Sequence, residues 1–493
     1  MTEIADFATV LLLAAGAFTV AVLSTKLTER VPVPTAAIFL GAAAIVSSFW
    51  PSLSQHLPVH AVERIAVVAL IVILFNGGMD VGGRRFRGSA GPILTLGVLG
   101  TFATAAIVAV VAHYTLSLGW TLSGVVGAAI SPTDPAVMFS VLGRQEIGGR
   151  SGTVLEGEAG VNDPAGIALM IGMIEFATHA NSSLLVVLRE FAIEMAVGTA
   201  AGLCGAYVVV WVLRQIRLEN EALYPTLALM LAVLLYGATA VAHGSGFLAV
   251  FIAGLALGDA RAPYKHEIER FHSSLASLAE LTVFVALGLT VTVATLDGRI
   301  WLEGVVLLLT LALLARPLVV AVFLAPFRLR LGERAFIAWS GLKGAVPILL
   351  AAFAVLDHVE SANRVYGIVF VVVLLSVVGQ GTFVPLVAAR FKVPVHRNPA
   401  LPWEMSMRME EQPHPTREFV VQPRSRAEDS LISELPLGPR AWVTLVVREG
   451  APIRPGGSLQ LAANDRVQIL ASPEDLRALT NLFAGQATEE AST

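Results

Sequence analysis

Residues 119–142 read GWTLSGVVGAAISPTDPAVMFSVL. The segment is long and apolar enough to cross a bilayer, yet its middle cannot be a continuous helix. Pro132 and Pro135 flank Thr133 and Asp134, and each proline removes a backbone donor and collides with the preceding turn. Carbonyls freed in this way are tolerated at membrane depth only when they are buried in protein or line a cavity. The stretch therefore reads as two half-helices meeting around an acid. A plain proline kink is the alternative, and Thr133 and Asp134 inside the break weigh against it.

A second interruption lies in 334–356, RAFIAWSGLKGAVPILLAAFAVL. Here Gly341, Gly344 and Pro347 surround a positive charge, Lys343. Pro135 and Pro347 stand about 210 residues apart, close to the spacing of the first and eighth apolar runs. Paired breaks in corresponding halves point to an inverted-repeat transporter fold with two broken helices crossing at the midplane. The opposite charges fit such a crossing: Asp134 can face half-helix N-termini, and Lys343 can face C-terminal ends.

Working outward, the chain of 493 residues is 55% hydrophobic and only 14% charged, with a mean hydropathy of +0.73. Soluble domains are about one-quarter charged. The sequence predicts a polytopic α-helical membrane protein with about thirteen spans, near 7–25, 33–49, 61–79, 90–113, 119–142, 153–178, 184–213, 222–242, 246–258, 276–295, 300–325, 334–356 and 362–389. The loops carry a consistent charge asymmetry. Odd loops hold Lys26 and Arg30; Arg84, Arg85 and Arg87; Arg144 and Arg150; Arg214 and Arg217; Arg261, Lys265 and Arg270; Arg328, Arg330 and Arg334. Even loops hold little beyond Arg64, Arg299 and Arg364. By the positive-inside rule the N-terminus is outside and the C-terminus cytoplasmic. The acidic start MTEIADF reads as an uncleaved helix and not a signal peptide. The single cysteine, Cys204, reads as a small core residue and excludes a disulfide scaffold or thiolate cluster.

Three regions follow: a transmembrane domain over 1–392, a Pro- and Met-rich linker over 393–416, and a small α+β module over 417–486. In the module EFVV, AWVTLVV, SLQL and DRVQILA read as strands, and SRAEDSLISEL and PEDLRALTNLF as helices. It contains no catalytic constellation and suits ligand binding or dimerisation. ATEEAST reads as a disordered tail.

The sixth span carries GEAGVNDPAG, residues 157–166. Glu158 and Asp163 are five apart, about 140° around a helix, so they do not share a face. Arg316, alone in the apolar run LLLTLALLARPLVVAVF, needs an anion at its own depth, and Glu158 is the candidate for a structural pair. That leaves Asp163 for a proton or a hard cation. Asn162, Thr133 and carbonyls of the broken helix can supply the neutral oxygens that a dehydrated Na+ or K+ requires. If proton and cation compete for one acid, and only the neutralised form crosses, exchange is obligatory. One acid beside an asparagine implies one-for-one, electroneutral exchange.

GEAGVNDP, SPTDP, ARPLVV and GLKGAVP, in this order over about 390 residues, resemble the family of monovalent cation:proton antiporters that includes the bacterial NhaP proteins and the animal NHE exchangers. The resemblance implies a thirteen-helix inverted-repeat fold, usually dimeric, in which a core domain moves like an elevator against a dimerisation domain. It carries ion binding onto Asp163 with Thr133 and Asn162 nearby, a structural salt bridge onto Glu158 and Arg316, and the helix crossing onto Asp134 and Lys343. Two positions depart from it. Ala159 stands where many Na+-transporting relatives have serine, and Lys343 stands where arginine is usual. The C-terminal stretch from Ile432 to Leu479 is similar to the second half of RCK (TrkA-C) regulatory modules, which often bind a small ligand and are common on K+ transport proteins. With Ala159 this tilts the expected cation toward K+.

The expected function is thus a K+ and/or Na+ for H+ exchanger of the cytoplasmic membrane, homodimeric, with no organic cofactor and no nucleic-acid partner. An RCK-gated channel would need a filter such as TVGYG, which the sequence lacks. A cation-coupled solute symporter fits the broken helices but not the exchange motif. An intramembrane enzyme has only decoys. His266, Glu267 and His272 miss the HExxH spacing and read as a solvated face of a basic loop. Gly258-Asp259 lacks the surroundings of an intramembrane aspartyl protease, and GGRRFRG reads as a positive-inside loop. His243 reads as an interfacial histidine. Glu194 and Glu280 lie in spans with partners that sequence alone does not identify.

Overall fold

The structure is a computed structural model. It describes residues 16, 19, 34–49, 58–142, 145–147, 150–179, 183–293, 296–393, 395–397, 416–437, 441–448, 450–470 and 476–484. Most of the first expected span (7–25), most of the 393–416 linker and the tail from 485 lie outside the described residues. The chain forms two compact units, 1–397 and 398–493.

In the first unit the helices are α1 Thr35–Phe49, α2 Val59–Val81, α3 Gly83–Gly88, α4 Ala90–Leu116, α5 Trp120–Ile130, α6 Pro135–Leu142, α7 Arg150–Thr178 and α8 Leu184–Gln215. They continue with α9 Leu223–Val241, α10 Gly246–Asp259, α11 Lys265–Leu289, α12 Gly298–Phe323, α13 Leu331–Trp339, α14 Ala345–Leu356, α15 Ala362–Gln380 and α16 Val384–Arg390. A two-stranded antiparallel ribbon joins β1 Gln145–Ile147 to β2 Val395–Arg397. Local chemistry sets several ends. Pro58 precedes α2, whose C-terminus is closed by Gly82 at φ +68 with its N–H on the Gly78 carbonyl; this left-handed exit suits a residue without Cβ. Asp297 caps α12 by accepting the Ile300 N–H at 3.0 Å.

Among the described residues seven helices are long and apolar enough to cross a membrane, and shorter apolar helices include Trp120–Ile130, Gly246–Asp259 and Ala345–Leu356. The described residues do not confirm the exact count of thirteen, because most of the first expected span lies outside them and several of the others are short or polar. The two interrupted spans each yield a pair of short helices, and α7 carries Glu156, Glu158 and Asp163 close together. Among the described residues three helices contain a turn of π-helix: α4 over Thr95–Gly100, α12 over Leu311–Ala315 and α15 over Ser376–Gln380. The core is almost wholly aliphatic, with Phe75, Phe251, Phe284, Phe336 and Phe370 as its largest fully buried side chains. α10 packs between α2 and α8, while α14 lies on α15 and α5.

Several sequence expectations need correction. Residues 265–275 are not a loop: α11 begins at Lys265, and His272 is buried within it, edge-on to Phe75 with its Nδ1 on the Ile268 carbonyl at 2.8 Å. The basic composition there concealed a helix whose inner face is His272 and Ile268. GGRRFRG contains the short helix α3. Cys204 is exposed on α8, not a core residue; α8 has few buried positions and turns an apolar face outward.

The second unit is a four-stranded antiparallel sheet in the order β3-β6-β4-β5, with β3 Thr416–Val420, β4 Trp442–Arg448, β5 Ala451–Ile453 and β6 Arg466–Leu470. A helix, α17 Leu476–Phe483, contributes Leu479, Leu482 and Phe483 to a core with Val421, Val446, Val467 and Ile469. SRAEDSLISEL is not a helix. It runs in turns to a short 3-10 segment at Ile432–Glu434, and SLQL supplies only a single bridge, Gln460 to Leu431.

Candidate ion-binding site

The two breaks face each other. α5 ends at Ile130 and α6 begins at Pro135; α13 ends at Trp339 and α14 begins at Ala345. The Asp134 N–H donates to the Leu342 carbonyl at 2.8 Å, joining the two extended segments directly. Lys343 Nζ donates to the carbonyls of Ser131 at 3.0 Å and Pro132 at 2.9 Å. A cation thus sits on the carbonyl end of α5, where the helix dipole is negative. Asp134 lies against Gly344, the residue that opens α14, and an added Cβ at 344 would overlap its carboxylate. The acid meets a helix N-terminus and the lysine a C-terminus.

Neutral side chains hold this crossing in place. The Lys343 N–H donates to Ser376 Oγ at 3.1 Å, and Ser376 Oγ donates to Gln380 Oε1 at 3.2 Å. Gln380 Nε2 reaches the Trp339 carbonyl at 2.6 Å, and Trp339 Nε1 returns to the Gln380 carbonyl at 3.2 Å. Sequence reasoning missed Ser376 and Gln380. Their signal was present as two polar residues one helical turn apart in an otherwise apolar run.

α7 presents its carboxylates to different surroundings. Glu158 is 1% exposed and is gripped by Arg316, with Nη2 on Oε2 at 2.8 Å and Nη1 on Oε1. The Arg316 Nη2 also reaches the Ile337 carbonyl at 3.5 Å. Asn162 and Asp163 are buried beside the first break, and Asn162 Nδ2 donates to Thr133 Oγ1 at 2.7 Å. Its amide nitrogen so used, Asn162 is left with its Oδ1 as an acceptor. That oxygen and Asp163 Oδ1 are both buried and meet no donor. Asp134 and Lys343 are the charged neighbours of Asp163.

Buried polar atoms without partners are rare in folded proteins. Each of these two acceptor oxygens, one of them on a carboxylate, can be satisfied by a cation or a proton. Among the described residues no group of three or more His, Cys, Asp or Glu could hold a metal ion, so a multivalent site of the usual carboxylate or imidazole kind is not built here. A monovalent cation is a different case. It needs one negative charge and several neutral oxygens, and Asp163, Asn162 and Thr133 are of that composition.

Other charges are absorbed elsewhere. Glu303, 3% exposed, takes Arg364 and, one helical turn back, Arg299 at 2.8 Å. These are the arginines that sequence reading left in outer loops. Glu280, half-buried on α11, is within electrostatic reach of Asp134. Glu194 lies on α8 near Glu190, and its carbonyl accepts the Ser245 N–H at 2.9 Å. His243 adopts a left-handed backbone at the end of α9.

Comparison with known proteins gives a consistent picture. Residues 12–390 match the family model described as sodium/hydrogen exchanger, transmembrane, and residues 416–484 match the TrkA-C domain. The K(+)/H(+) antiporter NhaP2 of Shewanella sp. (strain ANA-3) is 31% identical over 473 residues, covering 94% of this chain and 81% of its own. The K(+)/H(+) antiporter NhaP of Alkalimonas amylolytica is 33% identical over 384 residues, covering 77% of this chain and 66% of its own. Among solved structures, the sodium proton antiporter MjNhaP1 from Methanocaldococcus jannaschii at pH 8 superposes with a TM-score of 0.66 at 23% identity, over 77% of this chain and 99% of that one. At that identity the likeness speaks for the fold.

Proposed function

The chain belongs to the sodium/hydrogen exchanger family of cation/proton antiporters, and from that premise we propose that K+ and H+ compete for Asp163 in a one-for-one exchange. The observation that carries this reading is the contrast within α7. Glu158 is fully engaged by Arg316, whereas Asp163, 7% exposed, keeps an oxygen with no donor. A carboxylate removed from water must be neutralised by something. A proton does so covalently; a cation does so with help from Asn162 Oδ1, Thr133 Oγ1 and backbone carbonyls. Either neutral form can change sides, and the bare anion cannot. The coupling is then set by one group, and no net charge moves.

K+ is preferred to Na+ in this reading. It is supported by the K+/H+ naming of the similar proteins, by the TrkA-C match and by Ala159, which offers no hydroxyl beside the site. Asp134 and Lys343 hold the crossing on which the cation pathway is built, and Glu158 and Arg316 keep α7 in register with α12. The TrkA-C module would take a small regulatory ligand. The protein would work as a homodimer in the cytoplasmic membrane with its C-terminus inside. The outward apolar residues of α8, among them Leu203, Tyr207 and Trp211, suit lipid or a second copy.

The test uses purified protein in liposomes with a trapped pH dye and the membrane voltage clamped at zero. K+, Na+, Li+ and choline are added in turn to wild type and Asp163→Asn. The reading expects K+-driven proton movement in wild type, none with choline, and none in the variant while it remains folded. Exchange that survives in Asp163→Asn would overturn the role of Asp163. A larger response to Na+ than to K+ would overturn the ion preference alone.

A further inference from the structure

The π turns of α12 and α15 border one cavity. On the side of the crossing formed by α4, α12 and α15 there is a small cavity, with about 10 Å3 in which the centre of a water molecule can move. Leu311 of the α12 π turn and Gln380 of the α15 π turn line it, as does Thr104, one helical turn beyond the π turn of α4. Arg316, Gly341 and Lys343 complete its polar side. π turns widen a helix locally and recur at functional positions. Two of them border one small space in which Leu308, Leu311 and Ala312 face Arg316, Lys343, Gln380 and Thr104.

Arg316 identifies what kind. Both Nη groups are used on Glu158, but its Nε–H is buried and meets no acceptor, although the residue is only 5% exposed. Nothing in the protein can reach this position from Gly341, where a side chain is excluded: a Cβ there would stand 2.6 Å from Nε. Lys343 has spent two of its three ammonium donors on Ser131 and Pro132. Arg316 and Lys343, each with a donor unspent, thus line the space together with Thr104, whose hydroxyl is able to accept.

We propose that a single resident water molecule occupies this cavity, accepting the Arg316 Nε–H and bridging it to Thr104 and the Lys343–Gln380 side of the crossing. The size is at the threshold for one water, and Arg316, Thr104, Lys343 and Gln380 provide the two to four partners that a buried water requires. A small anion would also find donors here, but the charge balance opposes it. With Asp163 neutralised by its proton or cation, the positive charges of Arg316 and Lys343 are already matched by Glu158 and Asp134. Adding an anion would leave net negative charge at membrane depth, whereas water adds none. The salt bridge is then one part of a hydrated unit. The water holds the guanidinium plane from the side opposite Glu158 and ties the π turns of α12 and α15 to the crossing lysine.

The test is the structure of the full chain in lipid nanodiscs, at a resolution that shows ordered waters, together with crystals grown in bromide. One density peak within hydrogen-bond distance of Arg316 Nε, without a bromide anomalous signal, is the expected result. An empty cavity in well-ordered density, or a bromide signal there, overturns the proposal. Thr104→Val should lose the peak and melt at a lower temperature, and Thr104→Ser should keep both. A Thr104→Val protein that retains the peak would remove Thr104 from the site. If that variant fails to fold, the wild-type density still decides.

Discussion

Arg316 and Glu158, 158 residues apart in the chain, meet as a two-pronged ion pair with both partners almost wholly buried. Such a pair is stabilising only as a pair, because removing one member leaves the other charge out of water without compensation. The expected cost of Arg316→Ala or Glu158→Gln is about 3–5 kcal/mol. Each variant should show a clearly lower melting temperature and yield in detergent, and the double variant should be less harmful than the sum of the two. Additive losses, or singles as stable as wild type, would show that the two charges are not coupled.

Gly344 makes a different prediction, because its importance lies in having no side chain. A methyl group at 344 would occupy the volume of the Asp134 carboxylate. Gly344→Ala should therefore force the two half-helices apart and abolish exchange in liposomes even where folded protein is recovered. Gly379, on α15 with nothing within 4 Å of an added Cβ, is the control. Gly379→Ala should leave exchange near wild type. Equal behaviour of the two alanine variants would contradict the close approach of Asp134 to Gly344.

Why these elements could be read from sequence, and others could not, follows from the free energies involved. Two prolines around Asp134 cannot sit in a membrane helix, so the break at 131–134 was visible at once. Arg316 in an apolar run demanded an anion, and helical geometry separated Glu158 from Asp163. Ser376 and Gln380 gave only the weak signal of two polar residues one turn apart, and Thr104 gave less, since a neutral polar side chain in a membrane helix can simply bond its own backbone. The π turns were invisible because Thr95–Gly100 and Leu311–Ala315 have ordinary apolar compositions. In the small domain SRAEDSLISEL has good helix formers but remains in turns, with Ala427 and Leu435 buried in the sheet core. Tertiary burial overrode local propensity there.

Lys343 gives a prediction that separates charge from shape. Its ammonium serves two carbonyls at the end of α5 that are otherwise buried. Lys343→Met should leave both without a donor, at a cost of about 1–3 kcal/mol each, and lower stability and exchange together. Lys343→Arg keeps the charge and offers more donors, so it should recover most of the exchange rate. Full activity in Lys343→Met would show that the crossing needs no cation.

The soluble module carries its own pH dependence through Asp465. Burial alone would raise its carboxyl, but hydrogen bonds from Arg448 and the Ala462 N–H, with the Arg448 charge, together hold it below the usual carboxylate value. Arg448 donates to both oxygens at 2.8 Å, and Ala462 N–H adds a third bond at 2.8 Å. A depressed native value means that the unfolded chain takes up the proton first, so stability rises with pH across this window. The contribution is complete above the ordinary carboxylate value of 3.8 and is lost as pH falls below it toward the native value. Removing Arg448, a third exposed, should cost about 1–2 kcal/mol, the lower part of the range for charged hydrogen bonds because solvent screens it. Hydrogen exchange of β6 in the full chain, corrected for the intrinsic rate, reads this directly. Arg448→Ala should reduce β6 protection at neutral pH and flatten its fall at acid pH, while the amides of α10 in the membrane unit stay unchanged. Protection of β6 that falls in parallel in wild type and variant would remove the Asp465–Arg448 pair as the cause.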